Sequence, residues 1–153
     1  MIRALLTFTF IVCTFAAQSQ EDVTKKLQNR YLGFLIRESY DPEIDDDGDV
    51  EFTYNYETYY ITIDANEENF FRIARLESLP LTEKGEIDRA IRICHDITKE
   101  KKVAKIYWRN DVIWTSTELL FADADGFEGI FDRAMELTEQ AYDEFEEKWN
   151  EDN

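Results

Sequence analysis

The sequence predicts a single α+β domain: a five-stranded antiparallel sheet packed by helices on one face, in the order α-β-β-β-α-β-β-α. Three observations carry this. Apolar and polar residues alternate through Val50–Tyr54, Thr58–Ile63 and Phe70–Leu76, the two-residue period of half-buried strands. Short polar segments join them, as hairpins require, with no helix between successive strands. Stripes of helical spacing precede the first strand, separate the third from the fourth and close the chain, so the helices have one sheet to cover.

The first stripe is Val23, Leu27, Tyr31, Phe34 and Leu35, at spacings of four, four, three and one, which predicts a helix over 21–38. Pro42 ends that region, and the acidic run Asp45-Asp46-Asp47-Gly48-Asp49 reads as a turn in which Gly48 supplies a positive φ. Val50, Phe52 and Tyr54 then share one side of a strand. The pattern resumes after Asn55-Tyr56-Glu57 at Tyr59, Ile61 and Ile63, and again after Asn66-Glu67-Glu68-Asn69. Leu79-Pro80 breaks the strand pattern. Ile87, Ala90, Ile91, Cys94 and Ile97 predict a second helix, with Thr82 placed to cap it. A hairpin of Val103–Trp108 and Val112–Leu120 turns at Arg109-Asn110-Asp111, where Asn tolerates the left-handed conformation. Asp125 and Glu128 have capping-box spacing. They predict a last helix to about Lys148, with Phe127, Ile130, Phe131, Ala134, Leu137, Ala141, Phe145 and Trp149 on its apolar stripe.

Residues 1–19 read as a cleavable secretory signal peptide, leaving one domain over 20–153. Arg3 provides the positive start, Ala4–Ala17 the apolar core, and Ala17 and Ser19 the small residues before a cut after Ser19. The apolar run falls short of the ~20 residues of a membrane-spanning helix, so no stable membrane anchor is expected. Cys13 sits inside that run behind Val12, where lipid attachment would want a small residue. The expected address is the periplasm or the exterior.

Cleavage would remove Arg3 and no acid, leaving 16 basic residues against 34 acidic ones, a formal charge of −18; the full chain carries −17. Such a charge repels DNA, RNA and anionic lipid and favours basic protein partners. Cys94 would be the remaining cysteine, so the core rather than a disulfide framework must hold the fold.

The chemistry-bearing residues give no enzyme. His95 is the single histidine, and its neighbour Cys94 projects ~100° away from it on a helix, so the two form no local nucleophile–base pair. Cys94 falls on the apolar stripe as a buried small residue, with His95 beside it at the surface. Zinc would need three or four nitrogen or sulfur ligands and is offered two. No glycine-rich phosphate loop exists, and no cofactor is expected. Glu43, Asp45, Asp47 and Gly48 match the first, third, fifth and sixth positions of an EF-hand loop. Its twelfth position, which should be Glu, is Tyr54. A calcium-dependent module on Asp45, Asp47 and Asp49 is therefore an alternative to a solvated turn.

Aromatic residues make up 14% of the chain, and those on the strands fall on both sheet faces. Tyr60, Trp108 and Trp114 are the candidate partner-binding residues, as Tyr and Trp commonly anchor interfaces. The leading expectation is an exported, non-enzymatic protein-binding or chaperone-like module with an unidentified protein partner. The alternative from another class is an acidic inhibitor or immunity-type protein that neutralises a basic partner.

The stretch Asp45-Asp46-Asp47-Gly48-Asp49-Val50-Glu51-Phe52-Thr53-Tyr54, followed by Thr58–Asp64, Phe70-Phe71-Arg72-Ile73, Lys102-Val103-Ala104-Lys105 and a Phe-rich last helix, resembles the YbjN-type family. The resemblance covers nearly all of 20–153. Its departure is Asn55-Tyr56, where members often carry Glu-Gly, which touches the turn type and not the fold. It implies the type III secretion chaperone-like fold and a small protein-binding domain, allows a homodimer, and brings no catalytic residues.

Overall fold

The computed structural model describes the backbone of Ile2–Glu151 and the side chains of Gln20–Glu151; the expected leader, 1–19, and the expected cut after Ser19 lie outside the described side chains. Three helices lie on one face of a six-stranded antiparallel sheet.

Helix α1 (Ile2–Arg37) buries Leu27, Tyr31, Phe34 and Leu35, the stripe its spacing predicts. It ends on Ser39 at φ 69°, with Tyr40 N–H donating to Leu35 O (2.9 Å) and Ser39 N–H to Ile36 O (3.1 Å). That pair of bonds satisfies carbonyls the helix end would otherwise leave open. It also turns Tyr40 back against Phe52, 5.2 Å between ring centroids.

The strand count exceeds the expected five by β1 (Glu43–Ile44), which pairs with Glu51 and Val50. Two residues are too short to show alternation, which is why the sequence hides it. Strands β2 (Val50–Tyr54) and β3 (Glu57–Ile61) meet at a two-residue turn with Asn55 at φ 51° and Tyr56 at φ 69°. Strands β5 (Ala104–Arg109) and β6 (Val112–Leu120) repeat that geometry at Asn110 (51°) and Asp111 (62°). Left-handed conformation at both central residues marks the mirror-image hairpin turn whose twist matches the flanking strands. The departure at Asn55-Tyr56 therefore keeps a tight turn. Strand β4 (Phe70–Ser78) pairs with β6 over nine residues, giving the spatial order β1-β2-β3-β4-β6-β5 with β5 at one edge.

Helix α2 (Lys84–Glu100) buries Ala90, Cys94 and Ile97. Its cap is Glu83, without a side-chain hydrogen bond, rather than Thr82, and Ile91, expected on the buried stripe, is 48% exposed. The last helix starts later than the predicted capping box. A 3-10 turn at Glu128–Ile130 leads into α3 (Phe131–Glu151). Asp125 forms an ion pair with Arg30 at 2.8 Å instead of capping a helix. Phe127 plugs the core between Tyr31 and Phe71, with centroids 4.8 and 5.5 Å away.

The interior divides in two. One apolar cluster joins α1, β2, β3, β4 and the start of α3; the other joins α2, β5, β6 and the end of α3. Between them on the helix-covered face are Arg75, Thr115, Thr117 and Thr138, all buried. Thr138 Oγ1 lies 3.0 Å from Thr117 Oγ1 and 2.9 Å from Ala134 O.

Candidate protein-binding face

Strand parity decides what the other face presents. Residues alternate sides along a strand, so with Phe52, Tyr59, Ile73 and Ile113 under the helices, their neighbours point the opposite way. Register aligns Glu51, Tyr60, Ala74, Ser116 and Lys105 in one row across five strands. Leu76, Trp114 and Tyr107 form the next. Trp114 and Tyr107 stack at 6.0 Å with only 6° between their planes, a cross-strand aromatic pair of the kind that stiffens a sheet.

Small side chains beside large ones make a trough here. Ala74 and Ser116 are buried although no helix covers them among the described residues, because the larger residues around them stand higher. Tyr60, Ala74, Leu76 and Trp114 line a cavity of about 330 Å³ together with the carboxylates of Asp45, Asp46, Asp47, Asp49 and Glu51. The acidic turn and two of the three candidate aromatics, which the sequence treats as separate features, thus share one concavity.

The turn is internally braced. Asp45 Oδ1 accepts the N–H groups of Asp47 and Asp49, both at 2.9 Å, and Asp49 Oδ1 accepts that of Ile63 at 2.7 Å. Gly48 takes the expected positive φ, 91°, and its carbonyl accepts from Gln28 Nε2 on α1 at 2.9 Å. Burial, and then the nearby charges of Asp45 and Asp47, push the Asp49 carboxyl above its ordinary range against the pull of the Ile63 N–H. Burial and the charge and hydrogen bond of Glu51 push the Tyr60 hydroxyl up as well. Among the described residues no three His, Cys, Asp or Glu side chains are grouped so as to hold a metal ion.

At the far side of the face Glu118 binds two cations, Arg72 at 3.0 Å and Lys105. Burial works to raise its pKa. The Lys105 hydrogen bond and the Arg72 and Lys105 charges outweigh burial and hold it below the ordinary carboxylate range.

Trp108 departs from the other two candidates. It lies on the helix-covered side, packed against the second apolar cluster, and its Nε1–H donates to Leu79 O at 3.0 Å. Parity was the available signal: Trp108 is in step with Ala104 and Ile106, Trp114 out of step with Ile113. Tyr107 is the aromatic that takes its place on the open face. Cys94 is buried as expected, with its thiol pushed up to about 12 by burial, while His95 is exposed. Both border an apolar hollow of about 270 Å³ between α2 and the β5 edge.

No family model matches the sequence, and no curated protein matches it. Solved structures do share its fold. E. coli YbjN, a proposed transcription regulator, aligns with a TM-score of 0.57 at 7% identity, over 74% of this chain and 87% of that one. An uncharacterised protein from Methanothermobacter thermautotrophicus aligns with a TM-score of 0.55 at 10% identity, over 81% of this chain and 99% of the other. The chain therefore has a YbjN-like fold. At such identities the likeness extends to the fold alone. Among the described residues no helix is long and apolar enough to cross a membrane.

Proposed function

We propose that this chain is an exported, non-enzymatic binding module of the YbjN type, which holds a protein partner on its open sheet face after its leader is removed. The single observation that carries the reading is the trough between Tyr60, Trp114 and the acidic turn, on a face that no element covers among the described residues. Semi-rigid Tyr and Trp side chains on a strand scaffold give contact area at low entropic cost. The YbjN-like fold is consistent with such a module, and the charged start, apolar core and small residues of 1–19 support export.

The test is affinity capture from periplasmic and secreted extracts of the source organism, comparing the native protein with a Tyr60→Ala/Trp114→Ala variant of verified fold. A specific partner that binds the native protein and is lost from the variant, and that rebinds after separate purification, supports the reading. Equal recovery by both proteins removes the open face as the binding surface. The mass of the recovered chain tests export: loss of residues 1–19 is expected, and an intact N-terminus in every fraction contradicts it.

A further inference from the structure

We infer that the trough on the open face receives a cationic side chain, an arginine above all, presented by an extended basic segment of the partner. This rests on the reading above and adds the chemistry of what is recognised.

Charge is the first ground. Five carboxylates line the cavity, and among the described residues no cation does. Arg72, whose charge acts weakly on Asp49, is already engaged by Glu118 at 3.0 Å, and Lys105 is bound to the same carboxylate. Among the described residues the acidic end thus keeps an excess of negative charge, and the walls around it focus its potential into the trough. Burial already raises the Asp49 pKa, and an incoming positive charge would relieve that cost.

Aromatic chemistry is the second ground, and it is independent of the acids. Trp114 and Tyr60 stand beside the carboxylates, and a guanidinium can lie against a ring while its N–H fork reaches an adjacent acid. The same molecule uses that arrangement internally, where Arg75 lies 4.0 Å from the Tyr142 centroid while bound to two glutamates. A hydrated metal ion would make no use of Leu76, Tyr60 and Trp114, and one oxygen each of Asp45 and Asp49 is spent on backbone N–H groups.

Size and shape are the third. A volume of about 330 Å³ holds one or two side chains, not a folded surface. The trough runs over β2, β3, β4 and β6, three strand spacings or roughly 14 Å, the span of a few extended residues.

The probe is a fluorescein-labelled nonapeptide of alternating Arg and Gly, read by anisotropy on the mature protein at 150 mM NaCl. Its control carries citrulline at each Arg, which keeps shape and hydrogen bonding and drops the charge. Saturable 1:1 binding is expected, weakened about tenfold by citrulline, by Trp114→Ala and by Asp46→Asn/Asp47→Asn. Glu146→Gln/Glu147→Gln removes the same charge from exposed positions of α3 and should leave binding unchanged. Equal weakening by both charge pairs, or equal binding of the citrulline peptide, would overturn the inference. So would displacement by calcium chloride well beyond that by equimolar magnesium chloride, which would reassign the trough to a metal ion. A natural partner lost with Trp114→Ala while the arginine probe fails to bind would sink this chemistry and leave the binding face standing.

Discussion

The guanidinium of Arg75 lies 4.0 Å from the centroid of the Tyr142 ring, between two glutamates, in the seam that parts the two apolar clusters. Glu57 approaches at 3.2 Å and Glu77 at 2.8 Å, and the arginine side chain is 11% exposed. A buried cation is tolerable here because its charge is neutralised and its flat surface is covered by a ring. Arg75→Ala should cost about 2 kcal/mol by urea unfolding. This is less than the 3–5 of a fully buried pair, since Glu57 remains half in water. Arg75→Lys keeps the charge but loses the planar fork, and is expected between the two. A loss under 0.5 kcal/mol for Arg75→Ala would show that the seam is not stabilising.

Two acids of the open face should move stability with pH in opposite directions. The pKa of Glu118 is lowered in the folded chain, so its stabilisation is present above the unfolded carboxyl value and fades as pH falls through the lower folded one. The advantage of the native protein over Glu118→Gln should therefore shrink on acidification below about pH 4. The pKa of Asp49 is raised, so its ionisation costs stability as pH climbs from the unfolded value through the folded one. Asp49→Asn, which still offers an oxygen to Ile63 N–H, should gain on the native protein as pH rises above about 4. Melting temperatures across pH 3–7 check both, and parallel slopes would contradict the assignment.

Tyr56 is fully exposed at φ 69° in the β2–β3 turn, where a side chain contributes nothing and strains the backbone. Tyr56→Gly should stabilise by roughly 0.5–1 kcal/mol, raising the melting temperature by about 2–4 °C. A fall in melting temperature would mean that the ring packs in solution.

Cys94 has its thiol raised to about 12 by burial, which leaves almost no thiolate at pH 8. In a protein lacking residues 1–19 it should react with Ellman's reagent only as fast as the fold opens, and at once in 6 M guanidinium chloride. Stoichiometric labelling within seconds under native conditions would refute its burial.

Regular elements with several turns of pattern were legible from the residues. The α1 stripe, the strand alternation and both hairpins follow from side-chain periods that extend over enough residues to be seen. What stayed hidden depends on contacts distant in sequence. The spacing of Asp125 and Glu128 imitates a capping box, but Arg30, some 95 positions earlier, claims the aspartate and Phe127 is drawn into the core. Strand β1 exists only because β2 offers it hydrogen bonds. The trough was half readable: parity puts Tyr60 and Trp114 on one side, whereas the arrival of the acidic turn beside them depends on how β1 folds back. Arg75 sits in step with Phe71 and Ile73, and a charge in an apolar register was an overlooked sign of a buried ion pair.

Phe127 and Phe131 close the cluster built by α1, β2, β3 and β4, although more than 90 positions separate them from Tyr31 and Phe34. On the ribosome, a nascent chain up to Leu120 has every strand but lacks the rings that seal its first core. A fragment ending there should be digested by protease while the intact domain resists, and equal resistance would count against this dependence. Closure of that core should therefore wait for Phe127 and Phe131, and the polypeptide made before them should stay loose until they arrive.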